Sequence, residues 1–189
     1  MSLSAEQRRE LLALARRSIE AGLQEGRRVA FPDSPVHAAN ATRGSSFVTL
    51  HTERELRGCC GTLQAERELA EDVWHNAWSS AFSDPRFVPL TATEYPRIDV
   101  HIAVLSAPEP MEVHSEPDLL RSVRPGIDGL VLAMGSARAT FLPAVWDQLP
   151  RPVDFVRQLK LKAGWSPDFW SPQVRVLRYT TEDFGEKPR

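Results

Sequence analysis

The sequence predicts an α+β fold: a mostly antiparallel sheet with flanking helices. Three observations lead there. Strand-like and helix-like segments do not alternate as βαβ units. Two strand-like runs, FVTLHT and LRGCCG, stand three residues apart as a hairpin. Helix-period segments occur at the start, after the hairpin and near the C-terminus. At 189 residues, 42% hydrophobic and 25% charged, the chain suits one domain, or two small lobes sharing a core.

Ser4 and Gln7 form a capping-box pattern, followed by Leu11, Ala15, Ile19 and Leu23 on one face, so the first helix starts near residue 5. Gly22 or Gly26 ends it. Arg8, Arg9, Arg16 and Arg17 fall largely off the apolar stripe and read as a solvated face. Residues 26–46, with Pro32, Pro35 and Gly44, read as a long loop. A second helix spans about Glu68 to Phe82 and stops at Asp84-Pro85. Ile98–Val104 alternates as a half-buried strand, and Gly129–Met134 reads as another. A third helix starts at Pro152 and ends at Gly164, Ser166–Ser171 holds a short helical turn, and Val174–Tyr179 is the last strand.

The formal charge of -2 argues against nucleic acid as partner, because phosphate binding normally needs a basic excess. No stretch approaches the roughly 20 apolar residues of a membrane span, and the charged N-terminus lacks the apolar segment of a signal peptide. A cytoplasmic protein without membrane contact is expected. The two cysteines, Cys59 and Cys60, are adjacent, which rules out a disulfide framework and every paired-cysteine zinc spacing. A vicinal disulfide would need a strained peptide and an oxidising setting.

Hairpin parity assigns the cysteines different roles. A three-residue loop, Glu53-Arg54-Glu55, pairs Thr52 with Leu56, His51 with Arg57, Thr49 with Cys59 and Val48 with Cys60. Val48, Leu50, Leu56 and Cys60 then share an apolar face, while Phe47, Thr49, His51, Arg57 and Cys59 share the other. A two- or four-residue loop would mix Leu56 with His51. Cys60 thus reads as a small core residue. Cys59 stands on the polar face with Arg57 two residues away, where a cation favours thiolate over thiol. Gly58 and Gly61 flank the pair and let another backbone or a ligand come close. The alternative is ordinary: an exposed arginine and a partly buried thiol. His51 and His101 are surface or structural histidines on that view. A metal site from Cys59, His51 and His101 has no diagnostic spacing, so no metal and no cofactor are expected.

FVTL, LRGCCGTL, AFSDPRF, GIDGLVL, TFLPAVW and KAGWSPDFWS occur in this order. The combination resembles the AMMECR domain family over about Leu11 to Phe184, most of all its bacterial branch, protein A of the AmmeMemoRadiSam system. The resemblance implies a single AMMECR domain over residues 1–189 with two interleaved lobes and a cleft. The hairpin region, residues 26–66, is assigned to the smaller lobe. The resemblance further implies that the LRGC segment (Leu56, Arg57, Gly58, Cys59) lines the cleft. It also implies that the protein accompanies a Memo-type protein and a radical S-adenosylmethionine protein. Cys60 stands where the family usually has Ile, in keeping with a core-facing residue, and Ala103 where Ser is usual.

Two functions fit. In one, Cys59 is a nucleophile or covalent carrier, Arg57 tunes the thiol or holds an anionic group, His51 is the nearest base, and Asp84 and Arg86 of the DPRF turn complete the site. In the other, the protein is a non-catalytic module that binds a protein or ligand in the same cleft, with Arg57, Trp146, Trp165 and Trp170 giving specificity. Lys160 and Lys162 read as favouring the dipole of the third helix.

Overall fold

A computed structural model describes residues 2–32 and 40–186. Part of the expected 26–46 loop, including Pro35, lies outside the described residues. In chain order the elements are α1 (Ala5–Glu25), β1 (Arg43–Thr52), β2 (Glu55–Gly61), β3 (Arg67–Glu68), α2 (Leu69–Phe82), β4 (Ile98–Leu105), β5 (Glu109–Pro110), α3 (Glu116–Ser122), β6 (Gly129–Met134), β7 (Ala137–Phe141), α4 (Pro152–Lys162), β8 (Arg175–Tyr179) and β9 (Thr181–Gly185), with 3-10 turns at Tyr95–Arg97 and Pro143–Asp147. Sheets with antiparallel pairs and flanking helices make this the expected α+β class. Among the described residues no helix is long and apolar enough to cross a membrane.

The chain divides into two compact units. The first comprises residues 1–105 and 182–189, the second residues 106–181. Each has its own apolar cluster. The hairpin falls in the first and larger unit.

In the first unit the sheet runs β2-β1-β4-β9, with β3 pairing the start of β1. β2 is therefore an edge strand. Helix α1 is capped as expected: Ser4 and Gln7 bond reciprocally, and Gly26 closes the helix with φ 64. Gly22, the other candidate terminator, is buried in the last turn of the helix. Its neighbours explain it, since a Cβ there would overlap the Trp78 and Phe82 rings of α2. Leu11, Ala15 and Ile19 of α1 and Val73 and Ala77 of α2 join Val48, Leu50, Val100 and Ile102 of the sheet in one core. The arginine face of α1 is less solvated than its periodicity suggests. Arg8 pairs with Glu182 at 2.7 Å, and Arg16 is mostly buried, with Glu186 at 2.5 Å and the Ile98 carbonyl at 2.6 Å.

Helix α2 is fastened to β1 by a buried polar cluster. The carboxylate of Asp72 accepts from the Ser46 N–H (2.8 Å) and hydroxyl (2.7 Å) and from the Thr62 hydroxyl (2.6 Å). Burial pushes the Asp72 carboxyl up despite those donors. The strand expected at 98–104 is β4, one residue longer. The expected loop ends earlier than expected, because Gly44 is already in β1 and pairs with Arg67.

In the second unit the sheet runs β5-β8-β6-β7. β6 spans the residues expected. α4 starts at Pro152 as expected and ends at Lys162, while Ser166–Ser171 forms a turn without helix. Trp146, expected as a binding aromatic, is core: it stacks on Phe155 at 3.8 Å and donates its indole N–H to the Asp128 carbonyl. Lys160 is buried and paired with Glu116 of α3 at 2.9 Å, so it does more than offset a helix dipole.

Candidate functional site

The hairpin departs from the expected register near its turn. Glu53 and Arg54 alone form the loop, with φ of 53 and 71. Two consecutive positive φ values mark the mirror-image turn that matches strand twist in two-residue hairpins. Thr52 then pairs with Glu55 and His51 with Leu56. A bulge follows: between the His51–Leu56 and Leu50–Gly58 pairs, Arg57 is the extra residue. Beyond it the pairing returns to the expected one, Thr49 with Cys59 and Val48 with Cys60. Leu56 therefore stands with His51, and it is 41% exposed rather than on the apolar face. The bulge absorbs the one-residue difference, so the cysteines keep their faces.

On the α2 side the two strands meet the helix closely. A Cβ on Gly58 would overlap the Ser80 carbonyl oxygen. The approach that Gly58 permits is thus that of a neighbouring backbone. Gly61 is likewise filled by protein, because the Phe47 ring lies where its Cβ would be. Ser80 Oγ accepts from the Cys60 N–H at 2.8 Å and lies 2.7 Å from the Val48 carbonyl, joining β1, β2 and α2 through one hydroxyl. Cys60 is half-buried, and burial pushes its thiol up. Both cysteines are free thiols.

Cys59 is half-buried and has two polar partners. The Thr49 hydroxyl donates to its sulfur at 3.3 Å. Its backbone N–H, on the open edge of β2, donates to Asp84 Oδ2 at 2.9 Å. Asp84 is buried at the start of the DPRF turn and takes Arg86 in two contacts, 2.9 Å and 2.6 Å. The Arg86 guanidinium, followed by the Cys59 N–H, holds the Asp84 carboxyl well below the usual carboxylate range. A side chain so placed occupies a sheet-edge donor that would otherwise be open to another strand.

Arg57 reaches away from Cys59. Its Nε donates to Glu94 at 2.9 Å and its Nη2 to the Val88 carbonyl at 3.0 Å, and its guanidinium lies 5.8 Å from the Phe87 ring centre. The pair holds the Glu94 carboxyl at about 2. His51 sits edge-on to His101 with ring centres 5.1 Å apart and pairs across the sheet with Asp99. Burial, then the neighbouring His101, lowers its pKa, so its imidazole is neutral near pH 7. Among the described residues no hydrogen bond joins His51 to Cys59, and no group of three His, Cys, Asp or Glu side chains is arranged to hold a metal.

Of the residues singled out, Cys59, Asp84 and Arg86 thus form one bonded set. Arg57 and His51 flank it with partners of their own. Thr49 and Glu94 were not singled out. Thr49 was findable, because parity already placed it opposite Cys59. Glu94 was not, since nothing in its local sequence marks it as the partner of a residue 37 positions away.

Residues 12–184 match the AMMECR1 family model. A protein of Methanothermobacter thermautotrophicus is 37% identical over 190 residues, covering 97% of this chain and 96% of its own. One from Thermofilum pendens is 34% identical over 200 residues, covering 97% and 92%. The crystal structure of uncharacterized protein PH0010 from Pyrococcus horikoshii aligns with a TM-score of 0.89 at 31% identity, over 98% of this chain and 94% of that one.

Proposed function

The chain belongs to the AMMECR1 family, and from that premise we propose that it acts through the thiol of Cys59 as a nucleophile or covalent carrier. The observation that carries this reading is the Thr49 hydroxyl donating to the Cys59 sulfur at 3.3 Å. A hydrogen bond to sulfur stabilises the thiolate more than the thiol, and the thiolate is the attacking form. In the step we propose, the sulfur lone pair forms a bond to an electrophilic carbon, the leaving group departs with the electrons of the broken bond, and the thiol proton passes to water or to neutral His51. Asp84 holds the strand at Cys59 by its backbone, and Arg57 ties the same strand to Glu94 and Val88. Both are positioning residues on this reading. The motif order resembling the AmmeMemoRadiSam branch supports a further proposal, that a Memo-type and a radical S-adenosylmethionine protein are the partners and the cytoplasm the setting.

A non-catalytic binding module is the competing reading, favoured by one observation: Arg57 and Arg86 are already paired to carboxylates. Intact-mass analysis of the protein recovered from its own cells separates the two. The carrier reading expects an S-acyl adduct on Cys59 that hydroxylamine releases and that Cys59→Ser lacks, with partner co-purification unchanged. A binding module yields no adduct, and loses partner retention when Leu56 and Arg57 are changed.

A further inference from the structure

We propose that the group carried on Cys59 is a short, uncharged, apolar acyl group; the inference rests on the Cys59 reading and names its substrate class. The transfer is a thioester exchange. The Cys59 sulfur bonds to the carbonyl carbon of an acyl thioester, the old carbon–sulfur bond breaks, and the departing thiolate takes up the proton that Cys59 gives up.

Strand register fixes what surrounds the sulfur. Val48, Leu50, Val100 and Ile102 point into the core shared with α1 and α2, so the alternate residues of β1 and β4 stand on the other face of the sheet. Three ranks cross that face. Phe47 lies between Gly61 and Ala103, Thr49 between Cys59 and His101, and His51 between Leu56 and Asp99. Cys59 is thus in the middle rank, with a large apolar side chain in the rank on either side. Because Gly61 has no Cβ, the Phe47 ring lies over β2, two residues along the strand from Cys59. On the other side Leu56 is 41% exposed. An exposed leucine beside a half-buried thiol is apolar area that an acyl chain on that thiol covers.

Charge selects against the alternative. No lysine or arginine stands in the three ranks. Arg57 and Arg86, the cations of the adjoining bulge and turn, end on Glu94 and Asp84. His51 is neutral near pH 7, and the remaining side chain of its rank, Asp99, is an acid. A carboxylate-bearing acyl group would therefore lose water here without gaining a free cation, whereas an apolar one gains contact with Leu56 and Phe47.

The test mixes the full chain with the N-acetylcysteamine thioesters of acetate, isovalerate and succinate. Acylation of Cys59 is followed by intact mass and located by peptide fragmentation, with each rate divided by the iodoacetamide rate of the same thiol. Isovaleryl transfer is expected to run about fivefold faster than acetyl and about tenfold faster than succinyl. Leu56→Asn, at an exposed position, should bring the isovaleryl rate down towards the acetyl rate, and Leu56→Lys should put succinyl ahead of isovaleryl. Equal acetyl and isovaleryl rates, succinyl as fast as isovaleryl, or an unchanged isovaleryl preference in both Leu56 variants would overturn the substrate class while leaving Cys59 a nucleophile. Failure of all three thioesters to acylate Cys59 would overturn the Cys59 reading and this inference with it.

Discussion

Arg57 and Asp84 each end on an opposite charge, Glu94 and Arg86, rather than on the sulfur of Cys59. Spacing along the strand brought Arg57 near Cys59 in sequence, but the bulge and a long side chain sent its charge elsewhere. Glu94 has a folded pKa of about 2 against an ordinary 4.5. A depressed carboxylate stabilises the fold above its unfolded pKa and loses that contribution as pH falls through the folded one. Stability should therefore decline between about pH 4.5 and 2 partly through this pair. Glu94→Gln should flatten that slope, read as urea midpoint against pH. Glu94 is more than a third exposed, so the effect is roughly 1 kcal/mol or less; an unchanged slope would show that the pair is not a stabilising one. Thr49→Val, close to isosteric, should slow alkylation of Cys59 several-fold at neutral pH while leaving Cys60 unaffected. Equal Cys59 rates in the two proteins would remove Thr49 from the site.

The hairpin and α2 form the element that presents the cysteines. Parity predicted the cysteine faces correctly because the bulge lies between them and the turn; it misplaced Leu56 because the error in loop length was confined to the turn side. Periodicity has no means of marking a single extra residue. It also missed β3 and β5, which are two residues each, and the short helix α3, although Ser115 and Pro117 are helix-start signals there. Glu53 and Arg54 hold positive φ at a cost that Asn and Gly largely avoid. The double change Glu53→Asn with Arg54→Gly should stabilise the protein by about 1 kcal/mol, seen as a raised melting temperature with Cys59 reactivity unchanged. A lowered melting temperature would contradict the turn assignment. At the other end of β2, Gly58→Ala places a Cβ on the Ser80 carbonyl. A loss of about 1–3 kcal/mol is expected from overpacking, and a neutral result would mean that α2 shifts freely.

Over the whole chain, fold class, the longer helices and the central strands were legible from composition and period, because burial of one face dictates them. The division into two cores was not, since the first unit is assembled from residues 1–105 and the distant 182–189, and no local pattern reports such a return. Leu50 and Leu132 are fully buried in different clusters. Each change to Ala should cost about 2–5 kcal/mol, read from urea unfolding; a loss under about 1 kcal/mol would mean that the core collapses around the smaller side chain. The candidate site lies wholly in the first unit, and its claim to function rests on one sulfur. The direct measurement is the rate of alkylation of Cys59 and Cys60 in the native protein across pH, with labels located by mass spectrometry. Cys59 is expected to react faster than a free thiol at neutral pH and well ahead of Cys60. Protection of Cys59, or a rate no greater than that of a free thiol, would contradict it.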